Sequence, residues 1–458
     1  MLNIKTDSRK VKKGDIFVAV KCELNDGHSY IKSAIDNGAT TIVVDHGDYN
    51  YDNVNVIKVD NTRDYLEKYL TDHYSKFLNE MTLIAYTGTN GKTTSCFFLY
   101  QLLNKLNIKT GYIGTIGFYL EDKVCSLPNT SVDICEAYDL LITAYDKGYK
   151  TVVMETSSQA LDSNRLNTLY FDYGVFTNLT RDHLDYHKTM ENYAMAKQKL
   201  FKKLRNHKYA IINSDDNFKN VFTLKDNDNI TYGMNTGDYK VTDLKIDHSG
   251  STFTLEYDNV KTTMKTNVIG KYNIYNLLSV ICILKTMNIS DDLIAKEISN
   301  LQTPSGRMQK IPYKNNNTII IDYAHTPDGL ENFISTVSQF ITGDIYVVFG
   351  CTGSRDREKR PIMTTIVGSY AKKFIITNDD LHDEEPEDIV KDMLKDNKYD
   401  QYEICLDREK AIIKGINLLN KNDALLILGK GHEEFMIVKN KKIPFSDYKV
   451  VTEYIKNN

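Results

Sequence analysis

Short apolar runs alternate with longer polar, helix-compatible stretches along most of the chain, and many of the runs end in glycine or charged residues. Residues 16–20, 40–45, 83–85, 151–154, 174–176, 318–321, 344–349 and 425–428 are such runs. Apolar segments this short, bounded by turn residues, read as buried strands. Residues 30–37, 95–103, 190–201 and 277–287 carry helical sequence, the first with Gly38 placed as its C-cap. Strand and helix in alternation predict parallel sheets joined by crossovers. From about residue 213 to 265 the pattern turns polar and strand-rich, and Phe253-Thr254-Leu255-Glu256-Tyr257 has the period of two expected of a half-exposed antiparallel strand. The reading is an α/β chain of three domains, 1–80, 81–302 and 303–458, with the turn-forming Thr303-Pro304-Ser305-Gly306-Arg307 as a linker.

The residues that follow the strands carry the candidate chemistry. The run at 83–85 leads into Gly88-Thr89-Asn90-Gly91-Lys92-Thr93-Thr94 and then into helix. A glycine loop between strand and helix lets backbone N–H groups cradle phosphate, with Lys92 reaching the outer phosphates and Thr93 a Mg²⁺ ion. The general P-loop spacing calls for glycine at position 86, where Tyr86 stands. Glu155, at the end of another strand, is a candidate Mg²⁺ ligand, since hard cations take carboxylate and phosphate oxygens. The strand at 174–176 runs into Thr177-Asn178-Leu179-Thr180-Arg181-Asp182-His183, dense in titratable groups. Periodicity alone leaves Lys197 either solvated or turned into the site. In the last third, strands end at Asp322-Tyr323-Ala324-His325, at Gly350-Cys351-Thr352-Gly353 and at Gly429-Lys430-Gly431-His432-Glu433. That is the strand-end arrangement of a Rossmann-like doubly wound sheet, although the turn at 350–353 is not a G-x-G-x-x-G dinucleotide loop. The first unit has no phosphate loop, and its turn residues Ser8, Arg9 and His28 fit ligand contact or turn stabilisation equally.

Composition narrows the classes. A net charge of −4 without a basic cluster argues against a nucleic-acid surface. Seven scattered cysteines, none in a C-x-x-C pair, read as reduced thiols. The N-terminus has no signal-peptide run and no stretch approaches the roughly 18 apolar residues of a membrane span, so a cytoplasmic protein is expected, with no membrane partner and as a monomer.

Together, Gly88–Thr94, Glu155-Thr-Ser-Ser, Thr177–His183, Asp322-Tyr-Ala-His325 and Gly429–Glu433 resemble the Mur ligase family, in the family's order and over nearly the whole chain. Within it, the chain is most similar to the branch adding the third amino acid to UDP-N-acetylmuramoyl-L-alanyl-D-glutamate. The resemblance implies a UDP-sugar-binding first domain, a central P-loop ATP-binding domain and a C-terminal amino-acid-binding domain, and the family's loop does not require glycine at position 86. It implies that ATP phosphorylates the D-glutamyl side-chain carboxylate and that an amine then displaces phosphate. ATP would be held by Gly88 to Thr94 with Asn276, Arg307 and Asp322. Lys92, His183 and Lys197 would be catalytic. Thr93, Glu155, His183 and Lys197, the last as a carbamate formed with CO₂, would hold magnesium, two ions in all. Ser8 and His28 match the UDP end, and Asn129, Thr130, Ser131, Ser157 and Arg165 the muramoyl peptide, with Ser163 where the family often has Gln. Arg355, Asp379, Asp380, Gly429 and Glu433 match the amino-acid site. Diaminopimelate-adding members carry Asp-Asn-Pro-Arg where this chain has Asp379-Asp380-Leu381-His382. His cannot supply the bidentate fork of Arg, and an added Asp380 favours a cation. The expectation is therefore L-lysine or a similar basic amino acid, with meso-2,6-diaminopimelate as the alternative. A folylpolyglutamate-synthetase relative would lack the Asp7-Ser8-Arg9 unit, and a nucleotide switch would not need Glu155, His183 and Lys197 together.

Overall fold

The computed structural model describes residues 2–22, 25–247, 249–439 and 441–457 and is organised around three principal sheets. The first is parallel and four-stranded, in the order Ile4–Lys5, Ile16–Val18, Thr41–Val44, Asn55–Lys58. Both of its faces are covered, as parallel sheets require. Phe17 and Ile42 pack with Ile31 and Ala34 on one side. On the other, Ile4, Val18 and Val43 meet Leu66, Leu70 and Leu78 of the helix Thr62–Asn79, which the Asn61 side chain caps. That core continues through Met81, Leu83 and Tyr138 into the second unit.

The central sheet has eleven strands. Thr82–Thr87 lies between Thr151–Glu155 and Phe171–Phe176, parallel to both, so Thr87, Glu155 and Phe176 finish at one edge. Gly250–Tyr257 and Val260–Thr266 form the expected antiparallel excursion. The opposite edge carries a second one, Gly117–Tyr119 with Lys123–Cys125, whose strands of three residues are too short to show a period in sequence. The helix Lys92–Lys105 is buried on most sides, between the sheet and the helix Lys271–Thr286. The latter begins six residues before the apolar run at 277, because Asn273 and Asn276 are buried with it and Asn273 Nδ2 donates to the Ile269 carbonyl at 2.9 Å.

The third sheet has six strands in the order Gln309–Tyr313, Asn317–Asp322, Ala424–Leu428, Ile345–Phe349, Lys373–Ile376, Tyr402–Ile404, all parallel but the first. Four neighbouring strands thus deliver Asp322, Gly429, Gly350 and Asp379 to one carboxyl edge, where open α/β sheets bind ligands. The expected helix at 30–37 is a 3₁₀ turn, Gly27–Tyr30, followed by Ile31–Asp36, and that at 190–201 stops at Gln198. Among the described residues no helix is long and apolar enough to cross a membrane, and six cysteines are free thiols.

Candidate active site

The phosphate loop leaves its strand at Gly88 and enters the helix Lys92–Lys105 through Gly91, whose φ of 87° suits glycine. A methyl group on Gly91 would stand 2.2 Å from Asn276 Oδ1, and one on Gly88 1.9 Å from Thr177 Oγ1. The segment after Phe171–Phe176 clips the loop in place. Thr177 Oγ1 donates to the Asn90 carbonyl at 2.7 Å, and the Asn90 N–H donates to Asn178 Oδ1 at 2.9 Å. Lys92 Nζ donates to the Gly88 and Thr89 carbonyls at 2.8 and 3.0 Å.

Lys197 is not a surface lysine. It is 1% exposed, its Nζ donates to the same Gly88 carbonyl at 2.8 Å, and it lies 4.4 Å from the Tyr193 ring centroid. Burial, and then the charge of Lys92, hold its amine well below the ordinary lysine range. The helix Met190–Gln198 is started by Thr189, whose hydroxyl accepts from the Asn192 N–H. This sets Tyr193, Ala194 and Lys197 on one buried face.

Glu155 is buried and accepts four hydrogen bonds: from Thr93 Oγ1 at 2.9 Å, the Tyr112 hydroxyl at 2.5 Å, and the Thr115 N–H and hydroxyl at 2.9 and 3.1 Å. The residues expected to touch the peptide gather beside it. Ser131 Oγ donates to the Glu155 carbonyl at 3.0 Å and accepts from the Ser157 N–H at 2.9 Å. Arg165 donates to the Ser131 carbonyl at 3.3 Å, and Thr130 meets Thr115 at 3.0 Å. Asn129 and Arg165 line a cleft of about 500 Å³ together with Asp7 and Arg9 of the first unit. Ser8 and His28 are buried elsewhere in that unit.

His183 has a φ of 54° and opens the short helix Leu184–His187. Burial, partly offset by Asp182, lowers its pKa to about 4, so the imidazole is neutral at pH 7. Asp182 is a junction between the central and C-terminal units. Lys359 Nζ reaches it at 3.2 Å, His183 Nε2 at 3.3 Å and His325 Nε2 at 3.9 Å. Burial would raise its pKa, but Lys359 and the two imidazoles outweigh burial and hold it low. Arg181 beside it donates to Asp356 at 2.9 Å and Glu358 at 2.7 Å.

Asn276, Arg307 and Asp322 come together with Asn90, Gly91 and Thr94 around a cleft of about 360 Å³. Asp322 accepts from the Met308 and Ala324 N–H groups at 2.7 and 2.8 Å. Arg307 lies 4.5 Å from the Tyr323 ring centroid, and its Nε is buried without a partner. Tyr323 leads to the third cluster, donating to Glu433 Oε1 at 3.3 Å. There the fully buried Lys430 ammonium bridges Glu433 at 2.6 Å and Asp380 at 2.9 Å, with Asp379 at 3.9 Å. Burial, with the acids around it, raises the Glu433 pKa to about 7 despite Lys430. Gly429, at φ 108°, passes so close that a methyl group would stand 2.5 Å from Asp379 Oδ2. Arg355 is exposed and makes no ion pair among the described residues, whereas Arg357 is held by Asp392 and Glu384.

Comparison with known proteins agrees with this geometry. The Mur ligase middle domain matches residues 86–284, the Mur ligase glutamate ligase domain 306–431, and the Mur ligase family catalytic domain 2–74. The UDP-N-acetylmuramoyl-L-alanyl-D-glutamate–2,6-diaminopimelate ligase of Clostridium perfringens is 39% identical over 99% of this chain and 94% of its own length. The chain belongs to the Mur ligase family. The ligase of the same description from Aquifex aeolicus is also 39% identical, over 99% and 93%. A solved structure of a 2,6-diaminopimelate ligase is 28% identical with a TM-score of 0.66, covering 100% of this chain and 95% of that one. The MurF ligase of Thermotoga maritima in complex with ADP, 21% identical over 100% and 97%, shares the fold at a TM-score of 0.73. As a Mur ligase, the chain is an ATP-using acid–amino-acid ligase.

Relatives named as 2,6-diaminopimelate ligases support the alternative expectation over lysine. In the structure Lys430 and the Ile437 N–H both contact Asp380 Oδ1. Lys430 and Lys359 are charged residues of the site that the sequence does not single out. Lys430 sits within the motif at 429–433, but its partners Asp379 and Asp380 lie about 50 residues away in the chain. For Lys359 no local signal exists.

Proposed function

We propose that this Mur ligase joins meso-2,6-diaminopimelate to the D-glutamyl side-chain carboxylate of UDP-N-acetylmuramoyl-L-alanyl-D-glutamate, converting ATP to ADP and phosphate. The supporting observation is that the cleft beside the phosphate loop leads to the amino-acid cluster. Asn90, Gly91 and Thr94 line that cleft with Tyr323, whose hydroxyl donates to Glu433 at 3.3 Å, and Glu433 pairs with Lys430 at 2.6 Å, while Thr93 ties the loop to Glu155 and so to Thr115. Three substrates must meet along such a path.

The residues fit the groups the reaction needs. The glycine loop leaves no room for a methyl group at Gly88 or Gly91, and the unpartnered Arg307 Nε borders the cleft for ATP. Thr93 and Glu155 supply hard oxygens, and His183 a neutral imidazole, the form that binds metal. A buried Lys197 favouring its neutral amine suits addition of CO₂. Thr93, Glu155, His183 and the Lys197 carbamate would hold magnesium, whose role is to neutralise charge on the transferring phosphoryl group. In the first step a glutamyl carboxylate oxygen attacks the γ-phosphorus and ADP leaves. Lys92, anchored on two loop carbonyls, offsets the charge of the approaching anions. In the second step the neutral amine attacks the acyl carbon, gives up a proton, and inorganic phosphate departs. Asp379, Asp380, Gly429 and Glu433 frame the amino acid, and Arg355, exposed and without an ion pair among the described residues, offers a cation for its distal carboxylate. ADP release should require the UDP-muramoyl dipeptide and diaminopimelate together. Rapid release with either one omitted would contradict the reading.

A further inference from the structure

The first unit holds a cluster with no part in the phosphoryl or acyl transfer, although it includes His28, which the resemblance places at the UDP end of the substrate. Asp26 and His28 come from the turn at 25–28, and Asp45 and His46 from the end of the strand Thr41–Val44. The two imidazole rings lie with centroids 3.7 Å apart, tilted by 36°. Asp26, His28 and His46 each offer one ligand atom, all within 4.8 Å of one another.

The carboxylates are held in position. Asp26 Oδ1 accepts from the His28 N–H at 3.0 Å and pairs with His28 Nδ1 at 2.7 Å, which leaves Oδ2 facing His46 Nε2 at 3.3 Å. Asp45 Oδ2 accepts from Thr62 Oγ1 at 3.2 Å and its N–H at 3.4 Å, which turns Oδ1 towards His28 Nε2 at 3.4 Å and His46 Nδ1 at 2.6 Å. A tetrahedral ion with ligand distances of about 2.0–2.1 Å needs donors about 3.3–3.4 Å apart. Within the set of Asp26, His28 and His46, the His46 Nε2–Asp26 Oδ2 contact already has that length. A carboxylate bonded to the far nitrogen of a ligating imidazole is the usual outer support of such sites.

We propose that Asp26, His28 and His46, with Asp45 beside them, bind one divalent transition-metal ion of the Zn²⁺ type. Two imidazoles and a carboxylate favour such ions over Mg²⁺ or Ca²⁺. Three protein ligands leave a fourth position for water or a ligand oxygen.

The test uses the full chain, stripped with chelator and titrated calorimetrically with Zn²⁺ while Mg²⁺ is in excess. The parent should bind one tight equivalent that His46→Ala and His46→Gln each weaken by about 10–100-fold or more. Co²⁺ should give the parent a tetrahedral visible spectrum that both variants lack. Thermal melts in chelator establish that the variants are folded, and Zn²⁺ should raise the melting temperature of the parent alone. Equal Zn²⁺ binding by parent and folded variants, or none by the parent, would overturn the proposal. So would a Co²⁺ spectrum unchanged by either substitution.

Discussion

Replacing Lys197 with alanine removes the group whose surroundings depart furthest from what a lysine side chain prefers. At pH 7.4 an ordinary lysine, with a pKa of about 10.4, is neutral in about one molecule per thousand. Each unit by which burial and Lys92 lower the Lys197 pKa raises that fraction about tenfold, so this amine is prepared for CO₂. Its Nζ shares the Gly88 carbonyl with Lys92, so a carbamate there would turn a repulsive pair of cations into an attractive pair at the phosphate loop. Losing one such preorganised charge costs about 10²–10³-fold in kcat, or about 2.7–4 kcal/mol. The assay is ADP release with all three substrates, in carbonate-containing and in decarbonated buffer. Lys197→Ala should fall by that factor and regain part of its rate with formate or acetate, which place a carboxylate where the carbamate stood. Lys197→Arg, cationic and unable to react with CO₂, should stay inactive and unrescued. Parent-like turnover by either variant, or a Lys197→Ala enzyme indifferent to carboxylates, would refute the reasoning.

Gly91→Ala should lower kcat/KM for ATP at least about 100-fold, because φ is positive and the added carbon meets Asn276 Oδ1 at 2.2 Å. Initial rates across ATP concentrations check this, and a parent-like value would argue against the loop. Asp182→Asn should cost about 3–5 kcal/mol at pH 7, since it leaves the buried Lys359 unpaired. The folded-state pKa of Asp182 is depressed, so its contribution is present above the unfolded value of about 3.9 and lost as pH falls below it. Urea midpoints of parent and variant should therefore begin to draw together as pH falls below about 4 and meet only well below about pH 3, towards the depressed folded-state value. The KM for the amino acid should rise below pH 7 as Glu433, with a pKa near 7 in the free enzyme, takes up a proton. Glu433→Gln should raise KM and flatten that dependence, and a parent-like pH profile in the variant would exclude Glu433 from the site.

What was legible in the sequence was the part that local rules govern. Apolar runs placed the strands, and because parallel strands deliver their carboxyl ends to one edge, Asp322, Gly429 and Glu433 could be grouped without coordinates. The glycines of the phosphate loop were equally plain, since backbone geometry demands them. Lys197 was ambiguous because a single helical period allows lysine at a boundary, yet Tyr193, Ala194, Lys197, Leu200 and Phe201 are all buried. A lysine inside an apolar stripe was the available signal. The Asp182–Lys359 junction joins residues 177 apart, and no periodicity reports such a pair. The lysine expectation weighed Asp380 without Lys430, 50 residues on, for the same reason.

Offering the enzyme meso-2,6-diaminopimelate and L-lysine at equal concentration, with ATP and UDP-N-acetylmuramoyl-L-alanyl-D-glutamate, tests the central claim most directly. The mass of the UDP-muramoyl tripeptide should correspond to diaminopimelate, with the lysine product a minor species. A product carrying lysine alone would contradict the assignment.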